Sequence, residues 1–506
     1  MIPSLRVDIR SVLHIVGRLL RWFSITLLVP VCTALLYGES PTSFLITMVA
    51  ILITGTALVQ VSDEPDLGVR EGFLVVAMSW MVVSFFGAMP YVLEGNGTVA
   101  VPLNAFFESM SGFTTTGSTV MASIGFETHS RALLIWRQLT QWLGGMGIIV
   151  LAVAVLPRLS VGGAQLMQAE APGPDLEKLT PHIARTARFL WIFYVSFTAL
   201  EIVLLYGSHL SGFAPEMTLY QSIAHAFTTM PTGGFSPEGR SIEAFSAVVQ
   251  WIIMPFMFIA GINFALIWHT ATDRLRQLVE DPEWRFYAFS VGVVATLLTG
   301  GLVLTETVSE WGLSAVETQV RHGLFQALTI VTTTGYASTD YVQWSTAGQM
   351  VLLVAMFIGG CAGSTGGSVK IVRWLVVLKS TLKELFATVH PDAVQPIRLG
   401  DRVLDRDAVR GIFMFIFLYI FVFVTGTAII VVDCQLHGLQ FTPLELLGTA
   451  ATAVGNVGPS FGQVGPMANF TALPAPSRLT MVLLMWMGRL ELITVLVLFT
   501  PAYWFS

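Results

Sequence analysis

Four short stretches of this chain share one composition: Phe113-Thr114-Thr115-Thr116-Gly117-Ser118, Thr228-Thr229-Met230-Pro231-Thr232-Gly233-Gly234-Phe235, Val331-Thr332-Thr333-Thr334-Gly335-Tyr336 and Val454-Gly455-Asn456-Val457-Gly458-Pro459. What they offer to chemistry is hydroxyls and backbone carbonyls. A glycine recurs at Gly117, Gly233, Gly335 and Gly458. Glycine accepts dihedrals closed to other residues, so it lets the chain aim consecutive carbonyls at one axis, while the neighbouring Thr hydroxyls hold the loop extended. A ring of carbonyls from four such loops replaces the hydration shell of a dehydrated potassium ion. A single Thr-Thr-Gly reads more simply as a turn between helices; two close copies and two variants favour the ring.

Loops of this kind need a scaffold. Non-helical backbone at membrane depth is tolerable only where it is buried in protein or lines a water-filled cavity, and the composition points to a membrane. Of 506 residues, 54% are hydrophobic and 11% charged, against about 25% charged in a soluble protein. Apolar runs approaching the roughly 20 residues needed to cross a bilayer fall near 12–36, 42–61, 72–93, 132–156, 187–206, 245–270, 285–305, 346–378, 410–433 and 478–503. An even number of spans puts both termini on one side. That side collects Arg10, Arg18, Arg21, Arg70, Lys370, Arg373, Lys379, Lys383, Arg398, Arg402, Arg406 and Arg410, whereas the other holds little beyond Arg131, Arg137, Arg240, Arg321 and Arg478. The positive-inside rule makes both termini cytoplasmic.

Each of the four long outer connections begins with a short apolar segment too brief to span, such as Ala105 to Met110 or Leu324 to Ile330, and continues into its Thr/Gly stretch. The C-terminal dipole end of such a segment favours a cation. The expected fold is therefore an all-α membrane protein with four tandem helix, pore segment, helix repeats around a central pore. The first two spans form an N-terminal two-helix hairpin outside the repeat. The divisions expected are 1–66 for the hairpin, 67–160, 161–275, 276–395 and 396–506 for the repeats.

At these residues the chain resembles a known family. Thr114 to Ser118, Thr232 to Ser236, Thr332 to Asp340 and Asn456 to Gly462 look like the four filters of the Trk/Ktr/HKT potassium transporters, and the resemblance covers nearly the whole chain. The run Gly359 to Ser368, the stretch Gly488-Arg489-Leu490-Glu491 and the hairpin sharpen it to the bacterial TrkH type. The resemblance implies ion-binding carbonyls on Thr115, Thr116 and Gly117, on Pro231, Thr232 and Gly233, on Thr333, Thr334 and Gly335, and on Asn456, Val457 and Gly458. Pro231 then stands where repeats one and three carry Thr115 and Thr333, and Asn456-Val457 replaces Thr-Thr, so strict fourfold symmetry is excluded. It further implies potassium as the transported ion with no organic cofactor, and a homodimer with one pore in each protomer. A cytosolic nucleotide-binding regulatory subunit of the TrkA type and a place in the bacterial inner membrane also follow from it. Glycine in all four filters favours potassium over the alternative, a sodium-selective or weakly selective transporter of the same architecture.

The run Gly359 to Ser368 lacks the Gly-Lys-Ser/Thr ending of a nucleotide loop, and so many small residues hardly sustain a helix. The eighth span should break in mid-membrane. The resemblance implies that this break, with Gly363, Ser364, Thr365, Gly366 and Gly367, gates the pore; close helix packing is the competing reading. Arg489 lies about 16 Å down its span from Arg478, where a charge must face a cavity or a protein partner. The carbonyls of the break lie at a similar depth, which sets Arg489 against the gate; a purely structural role is the alternative. Outer-loop acids, among them Glu94, Glu108, Glu127, Glu216, Glu238, Glu310 and Asp340, either concentrate cations at the mouth or are simply solvated. The basic segment Lys370 to Arg410 suits the regulatory partner or anionic membrane lipid equally, and nothing suggests nucleic acid. With no His-Glu-x-x-His and no nucleophile beside a base, no enzyme site can be argued, which leaves a membrane-embedded enzyme or receptor as the weakest reading.

Overall fold

The computed structural model describes residues 7–62, 68–150, 183–267, 275–305, 313–393, 395–400 and 402–505. They are helical apart from loops and one small antiparallel hairpin, β1 (Arg398–Leu399) with β2 (Arg402–Val403). First come α1 (Ile9–Thr26) and α2 (Leu28–Tyr37), which continue one another across Leu27, and α3 (Thr42–Val59), which returns. Asp8 caps α1 by accepting from the N–H groups of Arg10 and Ser11, two of the donors that a helix start leaves without a partner. α1 and α3 meet at Gly17 and Gly55, where a Cβ on Gly17 would lie 2.7 Å from the Gly55 oxygen. Small residues at such a crossing let membrane helices touch backbone to backbone.

Helix, short helix, loop and helix then follow four times. The first set is α4 (Val69–Glu94), α5 (Pro102–Phe113) and α6 (Arg131–Val150); the second is α7 (Ile183–Leu210), α8 (Leu219–Thr229) and α9 (Ala247–Ala260). The third is α10 (Pro282–Thr305), α11 (Leu313–Val331) and α12 (Thr346–Ala355), resumed after a non-helical run by α13 (Ile371–Val389). The fourth is α14 (Arg406–Leu436), α15 (Pro443–Gly455) and α16 (Ala475–Arg489). Local chemistry fixes the short helices: Thr442 and Glu445 form a capping box at the start of α15 with Pro443 in the first turn, and Thr218 caps α8. These are the residues that pre-organise a helix start.

Among the described residues six helices are long and apolar enough to cross a membrane, and a bent pair makes a seventh. The break expected near 346–378 is present, since α12 stops at Ala355 and α13 begins at Ile371. The expected uninterrupted span 478–503 is not: it bends by 111° between Ala475–Arg489 and Ile493–Phe499. Glu491 (φ 60°) and Leu492 (φ 48°) adopt left-handed backbone there, which a continuous right-handed helix cannot contain. The far ends of the spans near 132–156 and 245–270, the boundaries at 66/67 and 160/161, and Glu310 lie outside the described residues.

In three of the four sets the last helix leans on the short helix of the next set: α6 on α8, α9 on α11, and α16 on α5. The third set differs because α12 ends early. Its non-helical run fills the space instead, with Gly367 so near α15 that a Cβ would stand 2.5 Å from the Gly455 oxygen. The sets therefore close into a circle. One apolar core joins the N-terminal hairpin to sets one and four through Phe44, Phe86, Phe113, Trp136 and Met485. A second joins sets two and three through Leu205, Ile253, Val291, Phe325 and Leu352.

Candidate ion pore

After each short helix the chain repeats one backbone conformation. Thr115, Thr232, Thr333 and Asn456 take φ values of 50°, 55°, 59° and 53°, and two residues later Gly117, Gly234, Gly335 and Gly458 take 85°, 75°, 80° and 116°. The residue between is held by its N–H: Thr116 to Ser111 O (2.8 Å), Gly233 to Thr228 O (2.9 Å), Thr334 to Thr329 O (2.8 Å) and Val457 to Thr452 O (3.0 Å). These bonds tie each loop to the last turn of its own short helix.

The four loops meet in a closed cycle. A Cβ on Gly117 would lie 2.2 Å from Gly233 O, on Gly234 1.9 Å from Thr334 O, on Gly335 2.0 Å from Val457 O, and on Gly458 2.9 Å from Thr116 O. Glycine and carbonyl thus alternate once around the axis, one pair at each junction. The glycines answer two demands together, positive φ and the approach of a neighbour's backbone oxygen. Among the described residues no group of three or more His, Cys, Asp or Glu is gathered as for a metal; what the ring brings together is backbone oxygen, a ligand suited to hard or weakly held cations.

The cycle corrects the expected register of the second loop. Its triplet is Thr232-Gly233-Gly234, not Pro231-Thr232-Gly233: Gly234 has the positive φ and Gly233 the interior N–H bond. Pro231 matches Thr114, Thr332 and Gly455, one place before the ring. In the other three loops the same conformation falls on Thr115-Thr116-Gly117, Thr333-Thr334-Gly335 and Asn456-Val457-Gly458.

The loops are also braced sideways. Thr114 bonds Thr116 (2.7 Å) and Thr332 bonds Thr334 (2.8 Å) through their hydroxyls. Asn456 donates to Thr116 Oγ1 and to Met485 O, both at 2.9 Å. Ser118 donates to Gly458 O at 2.7 Å, and Tyr336 donates to His225 O at 3.0 Å.

Residues 359–368 lie against the inner ends of these loops. Gly363 has φ 72° and its carbonyl accepts from Phe264 N. Ser364 donates to Cys361 O at 2.6 Å, and Thr365 donates to Met230 O (3.0 Å) and Ala260 O (3.2 Å). Gly367 N donates to Thr333 Oγ1 at 2.7 Å, and the Lys370 ammonium donates to Gly366 O. Arg489 is buried and its Nη1 donates to Thr365 O at 2.9 Å, while its Nε and Nη2 have no hydrogen-bond partner. The run thus touches sets two, three and four and Arg489.

At the other end of the ring opens a mouth lined by Gly117, Gly234, Gly335, Gly458, Arg137 and Glu238, among others. Of the described outer-loop acids only Glu238 lines it; burial raises its pKa against the lowering effect of its bond from Gln221. Glu108 is not a mouth charge. It is fully buried and paired with Arg137 at 2.7 Å, accepting also from Thr119 and Val120. Glu94 and Glu216 hold the N–H groups of Ser130 and Ser246, and Asp340 caps a short turn through Val342 N.

Sequence reasoning passed over Gly234, Gln141, the Glu108–Arg137 pair and the Arg373–Glu491 pair. One signal was available for two of them: Arg137 and Gln141 are polar, four residues apart and therefore on one face, inside an otherwise apolar run. Gln141 Nε2 donates to Gly233 O at 2.7 Å.

Comparison with known proteins agrees with this geometry over the whole chain. The Trk system potassium uptake protein TrkH of Halomonas elongata is 35% identical across 98% of this chain and 100% of its own length. That of Escherichia coli K12 is 36% identical across 98% and 99%. The crystal structure of the potassium transporter TrkH from Vibrio parahaemolyticus superposes with a TM-score of 0.85 at 33% identity, covering 98% of this chain and 100% of that one. Residues 40–504 match the TrkH family, described as cation transport proteins, and the chain belongs to that family.

Proposed function

We propose that this protein takes up potassium across the bacterial cytoplasmic membrane through the ring of four loops, and that residues 359–368 with Arg489 gate it. As a member of a family of transport proteins it is not an enzyme. The observation that carries the reading is the single closed alternation of four glycines and four carbonyls. It is the arrangement in which backbone oxygens substitute for the water around a dehydrated monovalent cation. In the proposed filter the donors are the triplets at 115–117, 232–234, 333–335 and 456–458. The relatives are named for potassium uptake, so the sodium-selective alternative is not favoured.

The gate reading rests on position: a run tied to Met230, Thr333 and Arg489 stands across the inner exit of the ring. The repeat divisions proposed fall at 67, 161, 276 and 396, with the small β-hairpin at the start of the last. Both termini are cytoplasmic on the distribution of basic residues. The relatives are named as proteins of a Trk system, which supports a further component beside this chain; the proposed assembly is a homodimer with a cytosolic nucleotide-binding subunit of the TrkA type. That subunit's proposed landing site is the outer face of α13 with Lys379, Lys383 and Arg398, beside exposed Leu382 and Phe386. Anionic lipid is the competing occupant.

Purified protein in liposomes tests the central reading. Potassium should enter in preference to sodium, and Gly335→Ala should erode that preference because its Cβ meets Val457 O. A folded Gly335→Ala protein with unaltered preference removes these loops from ion selection.

A further inference from the structure

The four loops are chemically unequal at the residues that brace them. In sets one and three a hydroxyl in the ring triplet bonds a hydroxyl of the same loop, Thr116 with Thr114 and Thr334 with Thr332. In set four the Asn456 amide reaches out of its loop instead, donating to Thr116 Oγ1 in set one and to Met485 O on α16. Set two has Pro231 and Gly233 at the positions of Thr114 and Thr116, and neither side chain can donate or accept.

The missing brace comes from another repeat. Gln141, on α6 of set one, is fully buried and occupies the space a side chain on Gly233 would fill, since a Cβ there would lie 2.4 Å from the Gln141 amide. Its Nε2 donates to Gly233 O at 2.7 Å and its Oε1 accepts from Phe235 N at 3.0 Å. One turn away Arg137 donates to Ser236 O at 2.8 Å and lays its guanidinium 3.6 Å from the centre of the Phe235 ring. Both ends of the amide are therefore committed to the backbone on either side of Gly234. Among the described residues the ring carbonyls of Thr116, Thr334 and Val457 receive no such side-chain donor.

We infer that Gln141 is a positioning residue for ion selection, fixing the distance and orientation of the Gly233 carbonyl and drawing charge from it, so that the second loop matches three loops that carry a bracing side chain of their own. The inference rests on the proposed role of the ring as the filter. A donor held in a site that excludes water acts strongly on its acceptor, and an amide is the side chain that can donate to one backbone group and accept from another across a single residue.

Three variants in liposomes test it, each measured for potassium flux, sodium flux and thermal unfolding. Gln141→Met keeps length and packing but neither hydrogen bond; its potassium-over-sodium ratio should fall on the order of tenfold, the scale of one lost buried bond, with unfolding close to wild type. Gln141→Glu is nearly isosteric. Ionised, it repels Gly233 O; protonated, it restores both bonds, so its ratio should rise as pH is lowered while wild type stays flat. Gly335→Ala is the control for the ring itself. If Gly335→Ala loses selectivity while a folded Gln141→Met keeps it, the role given to Gln141 is wrong and the ring stands. If neither variant shifts the ratio, the ring reading fails first. Equal loss of both fluxes in Gln141→Met, with no pH response in Gln141→Glu, reduces Gln141 to packing.

Discussion

Arg489 holds Thr365: the guanidinium donates to the Thr365 carbonyl at 2.9 Å, and the Thr365 hydroxyl in turn donates to Met230 O and Ala260 O in set two. The inner end of α16 is thereby joined across the axis to the second loop by one residue of the non-helical run. A buried charge is costly unless it is paired, and the Thr365 carbonyl is the partner the fold gives this one.

Arg489→Ala should raise potassium flux and leave the potassium-to-sodium ratio nearly intact. The substitution removes both the anchor of the run and a fixed positive charge that opposes a passing cation. Flux and thermal stability should be measured together with Arg489→Lys, which keeps the charge. Reduced flux in a stable Ala variant would sink the gate assignment.

Removing residues 364–366 should likewise increase flux, because it deletes the contacts from Thr365 to Met230 and from Gly366 to Lys370 while leaving Gly367 on Thr333. A run that serves only to pack sets three and four together predicts the opposite, a loss of folded protein without gain of flux.

The corrected register makes the second loop a discriminating place to cut. Gly234→Ala should weaken selectivity as severely as Gly117→Ala, since both combine positive φ with a neighbour's carbonyl about 2 Å from the new Cβ; strain of this kind costs roughly 1–3 kcal/mol. Gly233→Ala adds no positive-φ strain and its Cβ meets the Gln141 amide rather than a backbone carbonyl, so its loss should not exceed that of Gln141→Met and should be milder than that of Gly234→Ala. The reverse order, Gly233 more sensitive than Gly234, restores the register read from sequence.

Much of this was legible before any coordinates. Helices are forced by the bilayer, four Thr/Gly stretches interrupt the outer connections, and counting 1.5 Å per residue sets Arg489 level with the run it binds. What stayed hidden depended on contacts between distant residues. Gly233 and Gly234 are equivalent as letters, and only the folded backbone, with positive φ at Gly234 and its contact with Thr334 O, decides between them. Glu108 looks like a surface acid until α6 returns Arg137 to it. The bend after Arg489 places a leucine, not a glycine, in left-handed backbone, so composition gives no warning of it.

That bend yields the last prediction. Arg373, buried at the start of α13, donates to Glu491 at 2.7 Å and lies 3.5 Å from the centre of the Phe415 ring. Three residues earlier Lys370 holds Gly366, and two residues before Glu491 stands Arg489. The pair therefore ties both ends of the proposed gate to one point, and it favours the strained conformation at Glu491 and Leu492. Removing one partner leaves the other partly desolvated, so Glu491→Gln and Arg373→Met should each lower stability, by roughly 1–3 kcal/mol, and each should raise basal potassium flux. The double variant Arg373→Met/Glu491→Leu should lose less stability than the sum of the two single changes, because no charge is then left behind. Thermal unfolding in detergent across this cycle, with flux in liposomes, measures the coupling. Strictly additive losses with unchanged flux would mean that the ion pair neither holds the bend nor acts on the gate.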